Sequence, residues 1–233
     1  MAYWRGLTYN GSLLTYGNHT LAFYPSAEMN PYNLPPWTIR VEYGREPVSG
    51  EPIIPSTTFP KAHVDHFGNG NVWDITIDAN SKQTWFIELF RTHTHDDSPY
   101  ADIGYDLGDP GLTKVWGANA PGLTSLNAMF VNCHNLREVC IFDTRYVTNW
   151  SRAFSSCTSL KSIPRFDVFA AKYMLATFRN CFYVEHGALD LYNDASSTGL
   201  VTDHRFTFYM TGRYSTTGSA EVEQIPDDWK SKE

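Results

Sequence analysis

Met129-Phe130-Val131-Asn132-Cys133-His134-Asn135-Leu136 is followed, 24 residues later, by Ala153-Phe154-Ser155-Ser156-Cys157-Thr158-Ser159-Leu160. Phe178, Cys181 and Val184 continue the same spacing, so a phenylalanine, a cysteine and an aliphatic residue return three times at fixed offsets. Other columns hold the register: Leu123, Val147 and Ala171, then Leu126, Trp150 and Met174, then Phe142 and Phe166, each followed by an aspartate, Asp143 and Asp167. Running backwards, Leu112 precedes Leu136 and Val115 precedes Val139 by the same interval, which starts the array near Leu112. A fixed period of this length marks a repeat architecture, because one unit cannot bury its own apolar stripe and needs a stacked neighbour.

Each unit divides into two halves. Leu136-Arg137-Glu138-Val139-Cys140-Ile141-Phe142 and Leu160-Lys161-Ser162-Ile163 carry apolar side chains at short spacing and predict brief strands. Val147, Trp150, Ala153 and Phe154, like Leu123, Leu126 and Phe130, fall at offsets that place them on one helical face, with Thr148 or Asn149 available as a cap. The repeat columns from Leu112 to Val184, with Ile163 among them, are the expected core.

Three of the four cysteines, Cys133, Cys157 and Cys181, share one repeat position, and Cys140 stands apart. Stacking makes the three inward-facing small apolar groups. Adjacent units could bring two thiols into bonding range, but three equivalent positions cannot pair evenly, and no Cys-x-x-Cys spacing offers a zinc site.

Hydrophobic residues make up 42% of the 233 and aromatics 15%, which is the composition of a folded chain with a ring-built core. The net charge of −7 and a sequence pI near 5.6 leave no basic face for nucleic acid. The opening Met1-Ala2-Tyr3-Trp4-Arg5-Gly6-Leu7-Thr8 lacks the apolar stretch of a secretory signal, and no apolar run approaches the ~20 residues of a bilayer span. The expectation is a chain that starts in a cytoplasm and does not insert into a membrane.

The Met129–Leu136 string, with Phe142-Asp143-Thr144-Arg145-Tyr146-Val147-Thr148-Asn149-Trp150 and Ala153–Leu160, resembles the BspA-type leucine-rich repeats, which read MFxxCxxLxxIxxFDTSxVTNMSxMF. The likeness covers about residues 112 to 186. Trp150 replaces the usual methionine, and the third unit has Asp167-Val168-Phe169-Ala170-Ala171-Lys172-Tyr173 where the Asp-Thr-Ser-x-Val-Thr-Asn segment is expected. Further segments, among them Asn33-Leu34-Pro35-Pro36-Trp37-Thr38-Ile39-Arg40 and Ile225-Pro226-Asp227-Asp228-Trp229, resemble proteins of gut Bacteroides and their phages.

The strand-like runs, the period and the resemblance together predict an α+β fold: a β-rich attachment or capping region over residues 1–110, a solenoid of stacked repeats, of the leucine-rich type that the resemblance implies, over 111–188, and an irregular last repeat with a C-terminal cap over 189–233. The resemblance also implies a surface role without catalysis. The first expectation is a phage virion component, a head or tail fibre or decoration protein, at the virion surface and in contact with other virion proteins, copies of itself and a host-surface glycan or protein. The alternatives are a bacterial cell-surface adhesin and a glycan-degrading fibre enzyme, and no cofactor is implied.

Outside the array, Tyr9-Asn10-Gly11-Ser12 predicts a hairpin, Trp37–Tyr43 a half-buried strand, and the proline-rich stretch from Glu46 to Pro60 an extended loop. Thr84–Phe90 predicts a helical turn covering the first unit. Leu189–Tyr192 reads as helix and Asp194–Gly199 as spacer, while Thr207-Phe208 echoes Thr177-Phe178 with six extra residues.

Candidate chemistry is sparse. His63, His66, His93 and His95 carry metal-capable rings, and Asp102-Ile103-Gly104-Tyr105-Asp106-Leu107-Gly108-Asp109 has the carboxylates but not the spacing of a calcium loop. No Gly-x-Ser-x-Gly elbow, phosphate loop or His-Glu-x-x-His appears, so no catalytic residue is assigned. Surface Tyr and Trp rings are the better binding candidates, though the sequence does not rank them.

Overall fold

The computed structural model describes residues 30, 32–44, 62–66, 71–78, 80–92, 107–109 and 111–231, and the short strands between residues 5 and 23. Those short strands are Arg5–Gly6 (β1), Thr8–Tyr9 (β2), Ser12–Leu13 (β3), Thr15–Tyr16 (β4), His19–Thr20 (β5) and Ala22–Phe23 (β6). They pair antiparallel, β1 with β6, β2 with β3 and β4 with β5. Tyr9 lies opposite Ser12; the Asn10-Gly11 turn predicted between them lies outside the described residues. The Glu46–Pro60 loop lies outside the described residues.

The main sheet is mixed and five-stranded. Thr38–Tyr43 (β7), Ala62–His66 (β8), Val72–Ile77 (β9), Leu112–Asn119 (β12) and Glu138–Val139 (β13) lie in the order β13-β12-β7-β9-β8, and Arg91–Thr92 (β10) pairs separately with Leu107–Gly108 (β11). β12 and β13 are parallel and the other pairs of the main sheet antiparallel. β7 is central. Ile39, Val41 and Tyr43 enter the core, but Thr38 and Arg40 on its other face are buried too. The half-buried alternation read from sequence is corrected here: Tyr32 covers Arg40, whose guanidinium pairs with both carboxylate oxygens of Asp74 at 2.6 and 2.7 Å.

The expected solenoid of strand-plus-helix repeats is overturned. Among the described residues, the regular elements beside the two-stranded sheets are the mixed sheet and three helices, Lys82–Glu88 (α1), Ala188–Ser197 (α2) and Thr216–Glu223 (α3), with a 3-10 turn at Asp227–Trp229. Leu112–Asn119 is a strand of the sheet, only Glu138 and Val139 of the Leu136–Phe142 run are strand, and no helix passes through Leu123–Phe130 or Val147–Phe154. The backbone supplies the reason. Ala128 and Asn132, Arg152 and Ser156, Ala176 and Asn180, and Phe206 and Met210 all have φ between 52° and 63°. A pair of left-handed residues four apart in each segment stops a right-handed helix. The i, i+3 spacing is met by turns instead, as in Ala153 N–H to the Trp150 carbonyl (2.9 Å) and Cys157 N–H to that of Phe154 (3.1 Å).

Successive turn segments are tied by backbone hydrogen bonds. The amides of Leu126, Ala128, Phe130 and Asn132 donate to the carbonyls of Asn149, Ser151, Ala153 and Ser155 at 2.8 to 2.9 Å. The same set runs from Trp150–Ser156 to Tyr173–Arg179 and from Met174–Asn180 to Asp203–Tyr209, at 2.6 to 2.9 Å. In the last set the offset is longer because α2 is inserted. That helix extends to Ser197, so Asp194–Ser197 is not the spacer read from sequence: Asp194 is buried and accepts both guanidinium bonds of Arg165 at 2.9 and 3.0 Å. One continuous apolar core runs from Ile39 to Trp229.

Candidate interaction surface

The inside of the molecule is a column of rings. Phe90 lies 5.3 Å from Phe130, Phe130 5.0 Å from Phe154, Phe154 5.3 Å from Phe178 and Phe178 6.1 Å from Phe208, all near parallel, and Trp229 closes the column 6.2 Å beyond Phe208. Every column residue singled out from the sequence is buried: Leu112, Val115, Leu123, Leu126, Phe130, Cys133, Leu136, Val139, Phe142, Val147, Trp150, Phe154, Cys157, Leu160, Ile163, Phe166, Phe178, Cys181 and Val184. A buried column of this kind forms the core, and the residues outside it form the surface.

The cysteines are free thiols. Cys157 Sγ donates to the Phe130 carbonyl at 3.0 Å and Cys181 Sγ to that of Phe154 at 3.1 Å. Loss of solvent pushes the Cys133, Cys157 and Cys181 thiols far above the ordinary range, so they hold their protons. Cys140 is half-buried and shifted in the same direction, with Glu138 adding to the rise and Lys114 opposing it.

The histidine candidates are not brought together by the described structure. His63 and His66 lie on β8, opposite Thr76 and Trp73 of β9, while His93 and His95 lie outside the described residues. Among the described residues no group of three His, Cys, Asp or Glu side chains is arranged to hold a metal ion. The calcium-like stretch is described only at Leu107–Asp109, and there Asp109 is buried, accepting from Tyr43 Oη and from the Gly111 amide at 2.8 Å each. Its carboxylate is spent inside the fold. Gly108 sits against Val131 and Cys133 so closely that a Cβ would lie 2.2 Å from the Val131 carbonyl oxygen.

The outer side of the turn segments carries exposed rings: Tyr146, Phe169, Tyr173, Tyr183, Tyr209 and Tyr214. Two groups of rings also touch each other and a cation. Tyr214, 61% exposed, lies 5.3 Å from Phe182 and 5.5 Å from Tyr183, and the Lys161 ammonium sits 5.2 Å above Tyr183. Phe206 and Tyr209 meet edge to face at 5.8 Å, with the Arg179 guanidinium 5.5 and 5.8 Å from the two rings. Both groups are set by backbone. Tyr214 N–H donates to the Phe182 carbonyl and Gly212 N–H to that of Cys181, each at 2.9 Å, and Asn180 N–H donates to the Tyr209 carbonyl at 2.8 Å. Gly212 has φ of 65°, and a Cβ on it would lie 2.7 Å from the Gly218 carbonyl carbon, so the position has no room for a side chain. Beside them Arg205 holds the Asp203 carboxyl below its usual range through bonds of 3.0 and 2.9 Å.

Sequence reasoning left these rings unranked, yet a signal was present. Tyr173 occupies the column of Ser125 and Asn149, and Tyr183 stands 24 residues after Ser159 and 48 after Asn135. A large ring in an otherwise polar column points outward. A third ring-and-cation group lies on the sheet, where Lys114 Nζ sits 3.7 Å over Trp116 and Trp116 Nε1 donates to Glu42 at 3.0 Å.

No protein-family model matches the chain, and neither a curated protein nor a solved structure matches it. Among the described residues no helix is long and apolar enough to cross a membrane.

Proposed function

We propose that this chain is a non-enzymatic structural and binding component of a phage particle, a head or tail fibre or decoration protein that assembles with other virion proteins and with copies of itself. The observation that carries the reading is the set of exposed rings on a backbone whose hydrogen bonds join one turn segment to the next. Each ring left in water forgoes about 25 cal/mol for every Å² of apolar surface it keeps exposed. Six such rings held on a fixed frame form the kind of surface that interfaces use, where Tyr and Arg dominate. The likeness of residues 112 to 186 to BspA-type repeats supports a surface role, and the net charge of −7 turns the chain away from nucleic acid.

Peptide mass spectrometry of purified particles tests the proposal. The expected result is this chain at constant stoichiometry with the major virion proteins across successive density gradients. Its absence from particles, with surface labelling on intact bacteria, would replace the virion reading with the adhesin one. The same exposed rings support that alternative.

A further inference from the structure

The strands between Arg5 and Phe23 form three separate antiparallel pairs, β1 with β6, β2 with β3 and β4 with β5, and each strand is two residues long. Among the described residues none of the six has a partner on its other side. The two inner pairs are one unit repeated. Leu7-Thr8-Tyr9 recurs seven residues on as Leu14-Thr15-Tyr16. The register recurs with it: Thr8 lies opposite Leu13 and Tyr9 opposite Ser12, then Thr15 opposite Thr20 and Tyr16 opposite His19. The two units do not pair with each other.

A two-stranded pair is marginal in water, and independent stability takes three or more strands. Proteins that must keep a strand edge to themselves blunt it with charged side chains or proline. From Arg5 to Phe23 the only charged side chain is Arg5, and there is no proline. These edges carry no guard against another strand. Residues 1–24 also hold Tyr3, Trp4, Tyr9, Tyr16, Phe23 and Tyr24, and aromatic enrichment with depleted charge is the composition of an interface centre. The charge pattern selects the partner. The chain has a net charge of −7, yet no acidic residue precedes Glu28, so two copies meeting here set no carboxylates against each other. A second copy brings the same units in the same register, and identical antiparallel edges are self-complementary about a two-fold axis.

We infer that residues 5–23 are a self-association segment, in which the β2–β3 and β4–β5 pairs of one copy join by their open edges to those of a second copy. The inference rests on the self-assembly part of the reading above and deepens it by naming where copies meet.

Sedimentation velocity and hydrogen exchange of the full chain test it over roughly a hundredfold range of micromolar concentration. At the upper end the expected species has at least twice the 26.5 kDa mass of one chain. Amides between Thr8 and Thr20 are expected to lose protection on dilution, while those of α2 keep theirs. Thr8→Lys with Thr15→Lys puts like charges on both sides of a two-fold contact and is expected to weaken association at least about tenfold. Ser162→Lys with Gln224→Lys adds the same charge at exposed positions elsewhere and is expected to leave association unchanged. A monomer throughout the range, association unmoved by the Thr8 and Thr15 substitutions, or protection that ignores dilution overturns the inference. The dilution measurements use the parent chain, so they decide the matter even where a variant does not fold. Particle mass spectrometry is independent of these results: a chain that stays monomeric yet is present in particles ends this inference and leaves the virion proposal standing.

Discussion

Thr211 takes over the hydrogen bond that a cysteine makes one turn segment earlier: its Oγ1 donates to the Phe178 carbonyl at 2.8 Å, as Cys181 Sγ donates to the Phe154 carbonyl at 3.1 Å. Both side chains are buried, and both point a small donor at the carbonyl beside a core ring. The position selects for a compact hydrogen-bond donor, and sulfur is only one way to supply it. Thr211→Val keeps the shape and removes the donor, so it is expected to cost about 1 kcal/mol, with Thr211→Cys costing less. Urea unfolding of the two variants measures this, and equal stability of Thr211→Val and the parent chain would show that the bond contributes nothing.

The buried thiols lead to a chemical expectation. Raised pKa values leave Cys133, Cys157 and Cys181 almost wholly protonated at pH 8, and burial denies reagents access. Cys140, half-buried, is therefore expected to be alkylated first in the native protein, with the other three labelled only on unfolding. Peptide mapping after timed iodoacetamide treatment reads the order. Labelling of Cys157 as fast as Cys140 would mean that the column is open to solvent.

The 24-residue period made the buried columns legible, because a ring or thiol that recurs at a fixed offset has the same surroundings each time. The backbone was not legible. Val147, Trp150, Ala153 and Phe154 have helical spacing, but Arg152 and Ser156 between and after them are left-handed, and neither residue type announces that conformation. It is imposed by the bonds from neighbouring segments, such as Arg152 N–H to the Leu175 carbonyl at 2.8 Å. The exposed rings escaped for a related reason: composition counts Tyr183 with Phe178, and only the column each occupies separates outside from inside.

Left-handed non-glycine residues store strain that can be released. Ala128 has φ of 52°, where a Cβ costs roughly 1–2 kcal/mol, more than the entropy glycine adds to the unfolded chain. Ala128→Gly is accordingly expected to leave stability unchanged or raise it by about 0.5 kcal/mol, whereas glycine at an ordinary helical position lowers it. A loss above about 1 kcal/mol in thermal or urea melts would contradict the assigned backbone.

Glu221 of α3 caps a different helix. Its Oε2 accepts from the amides of Gly187, Ala188 and Leu189 at 2.9, 3.0 and 3.4 Å, which places a carboxylate on the N-terminus of α2. Gly187 itself, at φ of 97°, provides no side-chain cap, and a Cβ there would lie 2.1 Å from the Ile163 carbonyl oxygen. Glu221→Ala is expected to cost about 1–2 kcal/mol, and Glu221→Gln less because one acceptor oxygen remains. Hydrogen exchange at Ala188 and Leu189 should accelerate in the alanine variant, and unchanged protection would refute the cap.

Asp109 gives the pH dependence. Burial raises its pKa, and the hydrogen bonds from Tyr43 Oη and the Gly111 and Leu112 amides offset only part of that rise. The folded protein therefore holds this proton at a pH where the unfolded chain, with an ordinary Asp near about 3.9, has released it. Asp109 contributes most to stability below that unfolded value; the contribution falls as pH rises through the raised folded value and is flat beyond it. Asp109→Asn cannot ionise and keeps an acceptor for Tyr43. The stability of the parent chain relative to Asp109→Asn should thus decline from pH 4 upward and then level off, as read by urea unfolding across pH 4 to 8. A difference that instead grows with pH would mean that the carboxylate is stabilised in its charged form, and that the hydrogen bonds around it outweigh its burial.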